Sequence, residues 1–598
     1  MKRIKRIKYV FTLLLLFAVI SSCNKDLLIT EPLGEYSETA VWKDPALAQT
    51  FVNKFYRNLG IAYKLCMQAC FVDEGHFTPD WGLSDFNRSL LTPDQIPGWN
   101  DQMGGVLPPV LWNSEYKNIR ATNIFFSKID GVEFDNTLTD GKTMKDRLTG
   151  EAYFMRAYYY HRLTSLYGGV PIITKPYGLK DDFLIARNTW EECINFIVQD
   201  LDKAITLLPA VQSGNNKGRV TKGAAMAMKA RVLLYAASDL HNNNAMFSGF
   251  SNRALLGYTS GDPKARWTAA KNAAKAVMDL GIYDLYQKNG TPETSTKNII
   301  DLFTSKGNQE DIFISYFISK IDEDWGGYNP GIYCGPNGWH NWGNNCPLQE
   351  LVDDYEMADG TRFDWNNPVH VANPYANRDP RFYATVLYDG SLWRKRPVDM
   401  IGLDPIGIVQ TGSFEKEDGS IKGGLDTRDG PIESWNGGYT GYYVRKFIDP
   451  TIDAQYFKQE VPWRFIRYGE ILLNYAEACI ELGEDVEARR VINLIRKRAG
   501  MPDITESGAS LKVRYRNERR IEMAYEEQRF FDVRRWAICD QVYKPVHGIK
   551  PLHKFNSTQV IYSKIAVEPR AWDNKAYFFP IFRDEVNKNN LLVQNPGY

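Results

Sequence analysis

Amphipathic segments of helix length recur along this 598-residue chain, and several begin or end at recognisable capping residues. Thr189-Trp190-Glu191-Glu192 has the capping-box pattern, in which a threonine and the glutamate three residues later satisfy free amides at a helix start. Gly168-Gly169 ends another segment, as glycine commonly ends helices. The periodicity predicts helices at 150–167, 189–208, 221–238, 264–280, 466–500 (with a turn at 482–484) and 511–537. These helices predict a mostly α fold.

The helices come in helix–turn–helix units of roughly 30–40 residues, rich in small residues and tyrosine, which is typical of tetratricopeptide-like scaffolds. Region 320–440 differs, because it is rich in Gly, Pro, Asn and Trp and has little helical periodicity. It predicts long loops and short strands, and its aromatic content argues against disorder. We expect a helical region at 23–320 and a loop-bearing region at 321–598, combined in one composite domain.

The N-terminus has the three zones of a secretory signal. A basic start leads into an apolar run from Tyr9 to Ile20, which is too short to span a membrane comfortably, and small residues then precede Cys23. Ile20-Ser21-Ser22-Cys23 resembles a bacterial lipobox, so residues 1–22 are predicted to be a signal peptide and Cys23 the lipidated residue. The alternative is an ordinary secretory signal with an incidental cysteine.

The chain carries 72 basic and 72 acidic residues, and removal of 1–22 takes away five basic residues and no acidic one. The remainder has 67 basic residues against 72 acidic ones, with no basic block. Nucleic-acid binding needs clustered Lys and Arg, so this composition argues against it.

Seven cysteines remain beyond Cys23, and none belongs to a CxxC motif, which argues against zinc ribbons and thioredoxin-like sites. Cys66 and Cys70 are four residues apart, and Cys334 and Cys346 flank a glycine-rich loop. Each pair is either a disulfide or two buried thiols, and the spacing leaves both alternatives open.

Motifs in order along the chain resemble the SusD/RagB family of Bacteroidetes outer-membrane lipoproteins. They cover essentially the whole mature chain. Asn24-Lys25-Asp26 also resembles the surface-export signal of such lipoproteins. The motifs are Trp42-Lys43-Asp44, Trp112 to Ile119 with Asn123, Gly150 to Tyr159, Tyr167 to Pro171, Asp200 to Ile205, Leu208-Pro209, Gly218 to Ala225, Asp379-Pro380-Arg381, Arg467 to Glu470, Tyr475 to Ala478, Asn493 to Gly500, Glu518 to Glu522, Arg529 to Trp536 and Pro580-Ile581 to Tyr598.

The resemblance implies a non-catalytic, lipid-anchored protein of the outer-membrane surface that captures oligo- or polysaccharide. It implies a lid on a SusC-like TonB-dependent transporter, which imports the glycan. It also implies a helical fold with tetratricopeptide-like units that support a binding face built from loops. The alternatives are a RagB-like partner in peptide uptake and a surface glycoside hydrolase.

A glycan site needs exposed aromatic rings for the apolar faces of sugars, with polar side chains for their hydroxyl groups. Aromatic residues make up 13% of the chain. Segment 321–345 is rich in glycine and supplies the first candidates, which are Trp325, Tyr328, Trp339 and Trp342. Glycine and proline force irregular backbone there, so these rings cannot form a simple helical stripe. The alternative is a self-packed small core that holds the loop in shape.

Segment 73–103 supplies the second group, which consists of Asp73, Asp80, Trp81 and Trp99, with Trp81 and Asp80 as the preferred pair. The resemblance implies ligand contacts from loops in this part of the chain. The third patch is Trp435-Asn436-Gly437-Gly438-Tyr439.

Catalytic signatures are missing from the sequence, which has no HExxH motif, GxSxG elbow or P-loop. Glu518, Glu522 and Glu526 lie at i, i+4 spacing among several arginines, which predicts a helix with many ion pairs rather than an acid/base pair. No cofactor is expected. A structural Ca²⁺ remains an open alternative at Asp322 and Asp324 or at the 426–430 turn, although neither fits an EF-hand.

Overall fold

The computed structural model describes residues 41–60, 63–96, 112–134, 138, 141–178, 180–242, 245–317 and 329–598. Cys23, Trp99, Trp325 and Tyr328 lie outside these ranges. The described α-helices are α1 (Pro45–Asn53), α2 (Leu83–Asn87), α3 (Trp112–Lys128), α4 (Met144–Tyr167), α5 (Trp190–Leu207), α6 (Lys222–Ala237), α7 (Asp239–Asn242), α8 (Pro263–Met278), α9 (Pro292–Thr304), α10 (Pro330–Cys334), α11 (Gln349–Asp354), α12 (Pro368–Ala372), α13 (Pro380–Thr385), α14 (Tyr468–Glu481), α15 (Asp485–Arg498), α16 (Gly508–Glu522), α17 (Arg529–Arg535), α18 (Cys539–Val542) and α19 (Arg583–Lys588).

Short strands form four small sheets within the described ranges. The strands are β1 (Gly75–Phe77), β2 (Asp311–Ser315), β3 (Asn345–Pro347), β4 (Val386–Leu387), β5 (Ser413–Glu415), β6 (Ile421–Gly423), β7 (Tyr443–Val444), β8 (Trp463–Arg467), β9 (Val546–His553) and β10 (Val560–Glu568). β1 pairs with β3, β2 with β8 and β4 with β7, all antiparallel. The four-stranded sheet has the order β10-β9-β5-β6, and its β5–β9 pair is parallel.

The mostly α prediction is confirmed, and the local capping signals account for helix positions. At the start of α5, the Glu192 amide donates to Thr189 Oγ1 at 3.2 Å while the Thr189 amide donates to Glu192 Oε2 at 2.8 Å. α4 begins six residues before the predicted start, because Thr143 and Asp146 form a second capping box there. The region between 329 and 440 contains only short helices and strands, as its composition predicts.

The prediction of a single helix at 511–537 is wrong, because two helices occupy this part of the chain. The chain leaves the helical conformation after Glu522 and resumes it at Arg529, with Tyr525 and Glu527 at φ angles of 63° and 61°. The break turns Glu526 toward a buried lysine, since Lys446 Nζ donates to the Ala524 carbonyl at 2.7 Å and to Glu526 Oε1 at 2.8 Å. Tertiary charge pairing therefore overrides helix propensity at this point.

The core runs through both halves of the described chain. α4 and α6 are buried over most of their length, and α4 contributes the fully buried rings of Tyr159, Tyr160 and Tyr167. Across the halves, Arg231 of α6 donates to both carboxylate oxygens of Glu470 in α14, at 2.7 and 2.6 Å. Within the described ranges, no helix combines the length and apolar character needed to cross a lipid bilayer.

The glutamates of α16 are ion-paired, as predicted, but their partners are arginines of other segments rather than the neighbouring arginines of the helix. Glu518 accepts from Arg381 at 2.5 Å and from Arg496 at 2.8 Å, and Glu522 accepts from Arg467 at 2.8 Å. Burial alone would raise the pKa of Glu522, but the surrounding arginines hold it well below its usual range. These carboxylates are buried and occupied by arginine, so they have the environment of a structural network rather than of an acid/base pair.

Candidate functional site

The β1–β3 ladder brings two distant loops together. Phe77 pairs with Asn345, and beyond this pair the Thr78 amide donates to the Asn344 carbonyl while Thr78 Oγ1 donates to the Gly343 carbonyl, both at 2.8 Å. The turn after β1 therefore lies beside the loop that precedes β3. This places Trp81 and Trp342 at the same end of one short sheet, although about 260 residues separate them in sequence.

A third loop joins the first two through close backbone contact. The Gly437 amide donates to the Trp342 carbonyl at 3.1 Å. Glycine is required at the junction, because a Cβ on Gly343 would lie 2.7 Å from the Tyr443 ring and 3.0 Å from the Gly437 Cα. Gly343 also has a φ of +59°, a conformation that favours glycine. The loop at 435–439 is thereby held against the Trp342 loop.

Together these loops present four aromatic side chains, which we call the aromatic face: Trp81, Trp342, Trp435 and Tyr439. Trp81 is 43% exposed, Trp435 69% and Tyr439 49%, whereas Trp342 is half-buried beside Tyr333. Single exposed rings are common on protein surfaces, whereas grouped exposed rings often mark an interaction site. The flat apolar surfaces of this face have the chemistry that sugar rings require.

Backbone strain marks the Trp81 turn. Asp80, Trp81 and Gly82 are three consecutive residues in the left-handed region, with φ angles of 61°, 47° and 86°. Each such non-glycine residue costs on the order of 1–2 kcal/mol and persists only where the surroundings impose it. The Asp80 carboxylate supplies part of that restraint, because it accepts from the Ser84 amide at 2.8 Å and from Ser84 Oγ at 3.0 Å. Asp80 therefore helps to hold the turn that carries Trp81, whose ring packs edge-on against Phe77 at 5.6 Å.

Arg428 holds the other exposed loop. Its Nη1 donates to the Trp435 carbonyl at 2.6 Å, and its guanidinium lies 4.9 Å from the centroid of the Tyr439 ring. His76 approaches Tyr439 edge-on at 6.1 Å. Arg428 and Ser84 were not identified as site residues from the sequence. The contacts of Arg428 are visible only once the loops are folded. The pattern Asp80-x-x-x-Ser84 was the one local signal available for Ser84.

Trp339 does not belong to the face, and its prediction as a ligand contact is wrong. Its side chain is fully buried, and Nε1 donates to the Arg394 and Lys395 carbonyls at 3.2 and 3.0 Å. The Arg396 guanidinium lies 3.6 Å from the ring centroid, and it is itself bound by Asp404 and Asp426. The small-core alternative is confirmed for this tryptophan.

Asp73 is also a wrong prediction. Its carboxylate is buried, accepts from Arg529 Nε and Nη2 at 3.0 and 2.9 Å, and lies 2.9 Å from Arg520 Nη1. Burial alone would raise the pKa of Asp73, but these two arginines lower it to about 2. The carboxylate has no surface left for a sugar hydroxyl and instead ties β1 to α16 and α17. Trp99, Trp325 and Tyr328 remain predictions, because they lie outside the described residues.

The cysteine alternatives resolve in favour of free thiols. All seven cysteines of the described ranges are free and buried, including Cys66, Cys70, Cys334 and Cys346. Asn345 lies among them, since its Oδ1 accepts from Cys70 Sγ at 3.4 Å. Across the part of the chain that the structure describes, no three His, Cys, Asp or Glu side chains converge as a metal site. In the 426–430 turn, Asp426 binds Arg396 rather than presenting a free carboxylate.

Comparison with known proteins gives two family-model matches that together span most of the chain. Residues 309–598 match the model described as the SusD family. Residues 46–234 match a model described as starch-binding and associating with the outer membrane.

Individual relatives align over nearly the whole length. A SusD-like protein of Bacteroides fragilis is 30% identical, covers 95% of this chain and 100% of its own, and superposes with a TM-score of 0.74. A SusD-like carbohydrate-binding protein from the same species is 22% identical over 92% of this chain and 100% of its own, with a TM-score of 0.68, which shows the shared fold. SusD-like protein P38 of Formosa agariphila is 23% identical over 92% of this chain and 95% of its own. The chain is a member of the SusD family.

Proposed function

We propose that the protein captures oligo- or polysaccharide at the outer-membrane surface through the aromatic face and delivers it to a SusC-like TonB-dependent transporter. The observation that carries the proposal is that three loops in backbone contact with one another bear Trp81, Trp342, Trp435 and Tyr439, three of which are exposed. Family membership supports it, because the matched family description includes starch binding and association with the outer membrane. Family relatives are named for binding rather than catalysis, and the chain is not an enzyme.

The chemistry of the aromatic face suits a saccharide better than a peptide that binds by strand addition. The face offers flat rings on glycine-bearing loops, whose backbone groups are already used in contacts between the loops. A peptide that binds by strand addition needs free backbone groups to pair with. Sugar rings need only stacking surfaces with nearby hydrogen-bonding groups, and Asn436 and Arg428 lie in or against the same loop. We expect modest affinity at a single site, because an open face leaves many sugar hydroxyls in water.

Affinity electrophoresis through gels containing starch or another polysaccharide tests this proposal, and calorimetry with oligosaccharides follows. Trp81→Ala and Trp435→Ala are each expected to weaken binding by about 1 kcal/mol or more, roughly fivefold in Kd. Phe183→Ala is the matched control, since Phe183 is 54% exposed but belongs to a different surface. Unchanged retardation of both tryptophan variants would refute the face as the site. Peptide binding without glycan binding would favour the RagB-like alternative, and newly formed reducing ends would favour a hydrolase.

Attachment and delivery are separable parts of the proposal. A lipid on Cys23 is expected to place the protein in the outer membrane, and Cys23→Ala should release it to the soluble fraction. Delivery predicts that the protein co-purifies with a TonB-dependent transporter after mild detergent extraction. Cells can be made to carry a variant in which the four residues of the aromatic face are replaced by alanine. If these cells take up the glycan at the full rate, the proposed role in capture is contradicted.

A further inference from the structure

A second surface, separate from the aromatic face, is a groove of about 550 Å³ along the N-terminal half of α3. Ile119, Ile173, Ile185, Phe183 and Leu592 give it an apolar lining. The wall at 171–177 is tied to α3, because Tyr116 Oη donates to the Pro171 carbonyl at 2.9 Å and Asn123 Nδ2 donates to the Ile173 carbonyl at 2.8 Å. The groove is therefore built by fixed elements and has the size of a ligand or peptide site.

The side chains that line this groove carry more positive than negative charges. Arg120, Lys175 and Lys588 line it, against one lining carboxylate, Glu585. Lys588 pairs with Glu585 at 3.0 Å and Lys175 with Asp181 at 3.3 Å, whereas the guanidinium of Arg120 contacts the Tyr177 carbonyl at 3.5 Å. An occupant with apolar side chains and a net negative charge fits this combination.

Residues 24–40 have that composition. The segment contains the apolar run Leu27-Leu28-Ile29, and it carries four carboxylates (Asp26, Glu31, Glu35 and Glu38) against the single lysine at position 25. Its net charge of −3 is opposite in sign to the lining of the groove. Apolar content and charge thus match on both sides.

The position of the segment also fits. The described chain resumes at Val41, and the neighbouring Trp42 packs on Phe125 of α3 with 6.2 Å between ring centroids. Ile119 lies six residues before Phe125, which is about 9 Å along the helix axis and about 120° around it, so the segment passes around α3 to reach the groove. Twelve residues separate Ile29 from Val41 and span up to about 40 Å when extended. The apolar run therefore reaches the groove with length to spare.

We propose that residues 24–40 bind back onto the folded body, with Leu27, Leu28 and Ile29 in the groove along α3. Docking leaves only residues 24–26 as a spacer between the folded body and Cys23. A protein anchored at Cys23 is then held close to the membrane in a restricted orientation instead of on a long tether. This inference does not depend on glycan binding.

Site-specific cross-linking in the full chain tests the docking. A benzophenone amino acid replaces Leu28, and mass spectrometry locates the cross-linked peptides after irradiation. We expect cross-links to α3, to 171–185 or to the segment around Leu592. Phe183→Asp and Ile185→Asp, which alter part-exposed positions, should lower the yield about tenfold, the factor that corresponds to 1.4 kcal/mol. Raising the salt concentration should lower the yield as well, since charge contributes to the contact.

The matched control is Val211→Asp, because Val211 is 70% exposed and lies outside the groove. This variant should leave the cross-link yield unchanged, and melting temperatures should show that all the variants fold. Cross-links from Leu28 to other surfaces, or a yield indifferent to the groove variants, would overturn the proposal. A probe at Leu107 that reaches the groove while Leu28 does not would assign the groove to segment 97–111 instead.

Discussion

Trp339→Ala is the most informative perturbation, because it separates support from binding within one tryptophan-rich loop. The substitution removes a fully buried indole, two hydrogen bonds to the Arg394 and Lys395 carbonyls, and the surface on which Arg396 stacks at 3.6 Å. Replacing a buried tryptophan by alanine costs about 3–5 kcal/mol from lost burial and the cavity left behind. The stacked cation contributes on the order of 2 kcal/mol when desolvated, and it overlaps with that figure rather than adding to it. We expect a loss of about 4 kcal/mol.

Two variants calibrate this expectation. Trp339→Phe keeps an aromatic surface for Arg396 but loses the indole N–H, so it should cost less than alanine, about 1–3 kcal/mol for the unpaired carbonyls and the reduced size. Trp435→Ala removes a side chain that is 69% exposed, and its effect on stability should stay within about 0.5 kcal/mol. The loss of stability should rank Trp339→Ala, then Trp339→Phe, then Trp435→Ala, because the first two differ in the aromatic surface they keep and the third is exposed.

Chemical denaturation measures the change in the free energy of unfolding, and hydrogen exchange shows where it acts. A chain of this size need not unfold in one step, so exchange is followed in the segments that pack on Trp339, at 392–408 and 424–430. Protection should fall there first. If Trp339→Ala leaves both stability and exchange unchanged but abolishes glycan retention, the ring is a ligand contact and our reasoning is refuted.

Three further predictions follow from named contacts. Ser84→Ala removes the hydroxyl hydrogen bond to Asp80 but keeps the one from the Ser84 amide, so it should weaken glycan binding by about fivefold or less by loosening Trp81, whereas unchanged calorimetry would show that the turn holds without the hydroxyl. Burial raises the pKa of Glu74 to about 8, so the protonated carboxyl favours the folded state below about pH 4.5, and this contribution is lost as the pH rises to 8. Glu74→Gln should therefore increase the free energy of unfolding by on the order of 3 kcal/mol at pH 8 and by little at pH 4. Equal melting temperatures of the variant and the unmodified protein at pH 8 would contradict this. Burial raises the pKa of all seven described thiols, so a thiol reagent should label them only after unfolding, and rapid labelling of the native protein would show that one is accessible.

Local chemistry is what the sequence determined by itself. The Thr189–Glu192 capping box, the helix stop at Gly168 and the turn at 482–484 depend on neighbouring residues, and the structure reproduces each of them. The sequence also indicated that the charged residues of α16 are ion-paired, but it did not indicate the partners, because Glu518 and Glu522 bind arginines of other segments. The family resemblance drew on the same local motifs, taken in order along the chain.

Burial and long-range pairing were decided by the tertiary structure. Trp339 and Trp342 are three residues apart in one glycine-rich loop, yet only Trp339 lies under Arg396. Asp73 and Asp80 are equally plausible polar contacts in the sequence, but the arginines that occupy Asp73 come from α16 and α17, some 450 residues away. The third patch, at Trp435 and Tyr439, is the most exposed part of the aromatic face. The pairing of β1 with β3 and the hydrogen bond from Gly437 to Trp342 bring its loop beside the loops of Trp81 and Trp342. Exposure depends on which distant segments pack against a side chain, and that information is absent from local spacing.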